Sequence, residues 1–179
     1  MLKSKQSLRA LAVLFPFALL LAWTISAQMS HDRGDIFRLK IVGYDPVDLL
    51  SGHYLRFRYD LGKVDLCKDI PNKMATCACL KRGKHGTMKA EYGGSCEQLQ
   101  SSCETILRGN CQYNTFLTFS ERFYFPEEYT SVLALVPPDS QAEVKISKEG
   151  AIALQKIFVK ERDILDYAKE RIRFPDRKN

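Results

Sequence analysis

An α+β domain, mainly antiparallel β with short helices and preceded by one N-terminal transmembrane helix, is the fold class the sequence predicts. Three observations carry it. Apolar–polar alternation runs through residues 36–43 and 53–61 and returns in 142–147, with further β-forming runs at 115–125 and 151–159, the period-two signature of half-buried strands. Residues 10–27 (ALAVLFPFALLLAWTISA) contain no charge. All six cysteines, Cys67, Cys77, Cys79, Cys96, Cys103 and Cys111, fall within residues 67–111, as in a small exported domain held by disulfides. The chain divides accordingly into a cytoplasmic basic flank (1–9), the anchor (10–27), a polar tether (28–35) and an exported β-rich domain (36–179).

Spanning the hydrocarbon core as a helix takes roughly 17–25 mostly apolar residues, and residues 10–27 just suffice. Lys3, Lys5 and Arg9 precede this segment, and no acid occurs before Asp32. That asymmetry keeps the N-terminus inside and places the remainder outside the cytosol. The competing reading is a cleaved signal peptide with Leu11–Trp23 as its apolar region. Cleavage after Ala27 or Ser26 would put Ile25 or Thr24 three residues before the cut, where a small residue is preferred, so the anchor is favoured. The three flanking bases also account for half of the net charge of +6. No Lys/Arg-rich run with interleaved aromatics occurs, so nucleic acid is not an expected partner.

A first strand over residues 36–43 points Phe37, Leu39 and Ile41 inward. Asp45-Pro46 and Asp48 form a turn or helical half-turn. A second strand from about His53 to Leu61 directs Leu55, Phe57, Tyr59 and Leu61 one way. Tyr54, Arg56, Arg58 and Asp60 point the other way. Residues 74–81 and 87–92 are short strands around an exposed tip at 81–86. Gly93-Gly94-Ser95 breaks the chain, with Ser95 capping a helix over 97–107. Residues 115–125 (TFLTFSERFYF) form one strongly β-forming strand with Leu117, Phe119, Phe123 and Phe125 on one face. Pro126-Glu127-Glu128 opens a helix that runs to about Val136 and stops at Pro137-Pro138. Strands over 142–147 and 151–159 flank a turn at Lys148-Glu149-Gly150. A terminal amphipathic helix over 161–174 gathers Ile164, Leu165, Ala168 and Ile172 on one face.

The stretch Gly52-His53-Tyr54-Leu55-Arg56-Phe57-Arg58-Tyr59 resembles the core of the GDYXXLXY family of membrane-anchored bacterial proteins. Arg122-Phe123-Tyr124-Phe125-Pro126-Glu127 is similar to that family's aromatic-strand-then-Glu segment, and 142–147 with Gly150 to its terminal hairpin. The matched motif takes in Asp45, Pro46, Asp48, Gly52, His53, Tyr54, Phe57 and Tyr59. Two residues depart from it: His53 stands where the family has Asp, and Phe57 where it has Leu. The resemblance implies an inner-membrane, single-pass protein with a periplasmic domain. It also implies a companion of a multi-pass membrane protein, with no established reaction.

Six cysteines in an exported domain imply disulfides, in any of 15 connectivities if all pair. Alternation places Cys77 and Cys79 on one strand face, each reaching for a different partner. Cys77-Ala78-Cys79 lacks zinc-knuckle spacing and the only nearby histidine is His85, so no metal or other cofactor is expected. Cys-x-x-Cys is absent, which removes the thioredoxin-like reading. Asp45, Asp48 and His53 form the one cluster resembling an acid–base site, and a periplasmic hydrolase or ligand-binding enzyme is the alternative function. Turn caps explain the same residues, and no nucleophile accompanies them. Gly52-His53-Tyr54-Leu55 is also similar to a strand box of type I signal peptidases, but the Ser-x-Met-x-Pro element of those enzymes is missing. Tyr54, Arg56 and Arg58 make a cationic stripe suited to carboxylate or phosphate groups of a partner. A non-enzymatic docking domain is therefore the expected function.

Overall fold

The computed structural model describes residues 14–26, 34–43, 53–68, 70, 74–83 and 88–174. The chain forms two compact units, divided between Gly34 and Asp35. In the first, residues 14–26 form helix α1, whose side chains are all exposed. Among the described residues no helix is long and apolar enough to cross a membrane.

The second unit is mainly antiparallel β. Its strands are β1 (Asp35–Gly43), β2 (Tyr54–Tyr59), β3 (Ala75–Arg82), β4 (Met88–Gly94), β5 (Thr105–Gln112), β6 (Thr115–Leu117), β7 (Arg122–Tyr124), β8 (Ser140–Ile146), β9 (Ile152–Val159) and β10 (Arg162–Asp163). They build a six-stranded sheet of order β10-β9-β8-β1-β2-β7 and a four-stranded sheet of order β4-β3-β5-β6. The expected alternation sets the register: Leu39, Ile41, Leu55, Phe57, Val144 and Ile157 are buried in the core, while Lys40 and Arg56 are exposed. One core cluster joins these residues to Ala78, Leu80, Met88 and Leu107 of the smaller sheet and to Tyr129, Leu133, Ile164 and Ala168 of the helical segments.

Strand β3 is buried from Thr76 to Leu80, so both of its faces are covered. Ala78 and Leu80 meet the main core, whereas Cys77 and Cys79 cluster with Leu99 and Ile106. Leu99 belongs to helix α2 (Cys96–Ser102), for which Ser95 is the N-cap, its side chain accepting from the Gln98 N–H. The sulfurs pair as Cys77–Cys96, Cys79–Cys103 and Cys67–Cys111. The neighbours Cys77 and Cys79 thus reach to the two ends of one short helix, which fastens it across the sheet.

Four expectations are corrected. The helix expected over 97–107 stops at Ser102, because the Cys79–Cys103 bridge turns the chain back along β3, where 105–112 pair as β5. Gly93 and Gly94 do not break the chain but continue β4, opposite Ala78 and Cys77. The helix expected from 126 to 136 is a 3₁₀ turn (Glu127–Tyr129) followed by one turn, α3 (Thr130–Leu133); the Pro137-Pro138 pair disfavours helical geometry in the residue before it. The terminal helix, α4, is confined to Ile164–Arg173 and capped by Asp163, whose carboxylate accepts from the Leu165 N–H. Lys160 and Glu161 have positive φ and turn the chain before it. Ile164 and Ala168 are buried as expected, but Ile172 is 45 % exposed.

Candidate functional site

The largest departure from the expected strands creates the site. Residues 115–125 are not one strand: β6 pairs with β5 in the smaller sheet and β7 with β2 in the larger. Between them the Thr118 N–H and hydroxyl both donate to one Glu121 carboxylate oxygen, at 2.6 and 2.8 Å. Such local side-chain bonds compete with a strand ladder, and Phe119 completes the turn at φ 63°. A left-handed conformation costs an L-residue roughly 1–2 kcal/mol, and here it leaves the ring 72 % exposed.

Strand β2 holds this loop from below. The Tyr59 hydroxyl donates to the Ser120 carbonyl at 3.0 Å, and the Phe57 N–H donates to the Glu121 carbonyl at 3.2 Å. Burial pushes the Tyr59 phenol well above its ordinary value; the Ser120 hydrogen bond pulls the other way, and the Glu121 charge adds to the rise. At the other end the Phe125 N–H donates to the His53 carbonyl. Residues 53/125 and 57/121 are therefore hydrogen-bonded pairs. Tyr54/Tyr124 and Arg56/Arg122, which alternate with them, are the closer, non-hydrogen-bonded pairs. The Tyr54 and Tyr124 rings lie 5.6 Å apart, and the Arg122 guanidinium sits 5.1 Å above the Tyr54 ring.

An open groove of about 900 Å³ runs over this face, lined among others by Arg56, Arg58, Arg122, Glu121, Leu117 and Leu154. Tyr113, Phe119 and Tyr124 also line it, and they are 80 %, 72 % and 60 % exposed. Tyr113 and Asn114 connect β5 to β6, both with positive φ, as a two-residue primed hairpin turn requires.

The structure places the expected residues unevenly. Arg56 and Arg58 meet in the groove, and Tyr54 packs beside it through Tyr124 and Arg122. Phe57 is fully buried and lies in the core. The His53 side chain is exposed. Asp45, Pro46, Asp48 and Gly52 lie outside the described residues, as do residues 84–86 of the tip expected at 81–86, whose Lys81 and Arg82 instead end β3. Among the described residues no group of three His, Cys, Asp or Glu side chains converges as a metal site would. Tyr113, Phe119 and Glu121 were missed by sequence reasoning. The legible signal was Thr118-Phe-Ser-Glu121, a Thr-x-x-Glu pair that marks a local cap.

The molecule is thus a disulfide-fastened, mainly antiparallel α+β domain with an arginine- and aromatic-lined groove. Residues 16–157 match the model of the GDYXXLXY protein family, and the chain belongs to that family. No curated protein and no solved structure matches it.

Proposed function

We propose that the chain is a non-enzymatic envelope protein, anchored in a bacterial inner membrane by the apolar segment at 10–27, with its β domain on the periplasmic side. In this reading the domain docks onto a multi-pass membrane protein through the face of Tyr54, Arg56 and Arg58. The groove is the observation that carries it. Tyr, Phe and Arg are the side chains enriched in protein interfaces, and here exposed rings surround a set of guanidiniums on a rigid strand. Three disulfides in the domain support an oxidising compartment.

The test is a pull-down from detergent extract with the wild-type protein as bait. A multi-pass membrane protein should return in stoichiometric amount, and Arg56→Glu with Arg58→Glu should lose it. His53→Ala should retain it and leave any phenotype intact at unchanged protein level. An empty pull-down, or a His53→Ala loss of orders of magnitude in phenotype, rejects the docking reading.

A further inference from the structure

We infer that the domain reaches its native cysteine pairing through a thiol–disulfide isomerase, a folding partner that exchanges wrongly made bridges. The need for that partner lies in the connectivity; the place where the two meet rests on the export reading.

The native bridges join Cys67 to Cys111, Cys77 to Cys96 and Cys79 to Cys103. In chain order the first three cysteines thus pair only with the last three. A chain exported from its N-terminal side presents Cys67, Cys77 and Cys79 to an oxidant before any native partner follows. The chance of closing a loop falls as the three-halves power of its length. Cys67 therefore meets Cys77 or Cys79, about 10 or 12 residues on, roughly seven to nine times as often as Cys111, 44 residues on.

The inner two bridges carry a second ambiguity. The crossed pairing, Cys77–Cys103 with Cys79–Cys96, closes loops of about 26 and 17 residues, against 19 and 24 for the native one, so loop entropy favours neither. All four cysteines gather in one apolar cluster with Leu99 and Ile106, so burial does not separate the pairings either. The difference appears only in β5. Natively Cys103 is bridged to Cys79, and the chain turns at once to place Thr105 opposite Leu80. Crossing the bridges reverses α2 and puts Cys103 beside Cys77. Leu80 is then three residues further along β3, roughly 10 Å by strand rise. The two residues from Cys103 to Thr105 reach at most about 7 Å. β5 could not start in register, and Leu107, fully buried in the core, would be displaced with it. The crossed pairing is a compact trap that oxidation enters as readily as the native state.

Exchange is the way out. The isomerase thiolate attacks one sulfur of a wrong bridge, forms a mixed disulfide and frees a cysteine thiolate. That thiolate attacks another bridge, and exchange repeats until a thiolate of the chain displaces the isomerase. One S–S bond forms for each that breaks, so no oxidant is consumed. In the native domain Cys67, Cys77, Cys79 and Cys111 are each at most 5 % exposed. Every native bridge therefore has at least one shielded sulfur, and the native pairing accumulates.

Refolding of the full-length protein, reduced and denatured, tests this, with bridges mapped by non-reducing digestion and mass spectrometry. Immediate oxidation by excess diamide, which removes thiols before they exchange, should give the native set as a minor product among the 15 possible. A glutathione buffer with protein disulfide isomerase should make it the main product, at least about tenfold faster than glutathione alone. Cys67→Ala with Cys111→Ala isolates the inner ambiguity: diamide should yield native and crossed pairings within about threefold of each other. The chemical readout holds whether or not that variant folds. In a bacterial host whose periplasmic isomerase has lost its resolving cysteine, the protein should be trapped as a mixed disulfide that reduction releases.

A native set that dominates direct oxidation, exclusive native pairing in the four-cysteine variant, or indifference to the isomerase overturns the inference. These refolding results do not depend on the groove, so such a failure leaves the docking reading as it stands. Six cysteines alkylated in cells without prior reduction would reject export, and this partner with it.

Discussion

Tyr59 shows how one side chain serves fold and site together. Its ring packs edge-on to Phe57 at 5.4 Å, while its hydroxyl holds the Ser120 carbonyl that positions Phe119 and Glu121. Burial raises the phenol's pKa above its unfolded value of 10.0, so the neutral form is favoured in the fold. That stabilisation is complete below about pH 10 and is lost as pH rises through the folded pKa. Denaturant melts above pH 10 should show stability falling, with this residue contributing up to about 1.4 kcal/mol per pH unit. Tyr59→Phe should cost about 1 kcal/mol near neutrality by removing the hydrogen bond, and its alkaline slope should be shallower by one proton. Identical slopes for the two proteins would show that the phenol ionises without unfolding. Gly109 makes a different local demand. A Cβ there would lie 2.6 Å from the Phe116 ring and the Leu117 carbonyl, so glycine is required just before β5 pairs with β6.

At the scale of elements, what the sequence made legible follows from periodicity. β1, β2, β8 and β9 each bury one face, so alternation alone finds them and their inward residues. β3 also reads correctly, and the placing of Cys77 and Cys79 on one face anticipates their separate partners. The failures occur where tertiary bonds override a local pattern. A continuous β-forming run at 115–125 hides a break made by Thr118 and Glu121. β5 was concealed because Leu99, Cys103 and Ile106 also stand at helical spacing, and the Cys79–Cys103 bridge lies where the helix ends. The groove was legible by half: Arg56 and Arg58 stand on a readable strand, but Tyr113, Phe119 and Arg122 reach it by the unforeseen break and turn. Seven residues of α2 are too few for a stable isolated helix, so the two bridges at its ends should hold it. Replacing Cys77 and Cys96 by alanine should cost roughly 2–4 kcal/mol. Hydrogen exchange read by mass spectrometry should show protection lost over 96–102 and kept in β1 and β8. Unchanged protection in α2 would mean that Leu99 burial holds it without the bridge.

Across the whole β domain the two sheets are tied by more than apolar packing. The Arg108 N–H on β5 donates to the Gly150 carbonyl at the β8–β9 turn, at 2.8 Å, and Gly150 has φ 84°. The hairpin of the larger sheet thus bonds to β5 of the smaller one, and the groove spans elements of both. A domain so fastened would give the proposed docking face a fixed shape, as attachment to a neighbour in the same membrane would require. The proposed anchor makes that arrangement testable on the intact chain. Residues 10–27 are uncharged, and every base before them lies on the N-terminal side, so the segment should insert with the domain outside the cytosol. Alkaline phosphatase fused after Asn179 should be active if the domain is exported, because that enzyme needs an oxidising compartment to form its own disulfides. The fusion should stay with the membrane fraction after carbonate washing, since stripping peripheral proteins leaves a spanning helix in place. Inactive phosphatase would put the domain in the cytosol and leave its bridges without an oxidant. An active but soluble product beginning near Gln28 would instead show that the segment is a signal peptide, and the domain would then have to find its partner by diffusion.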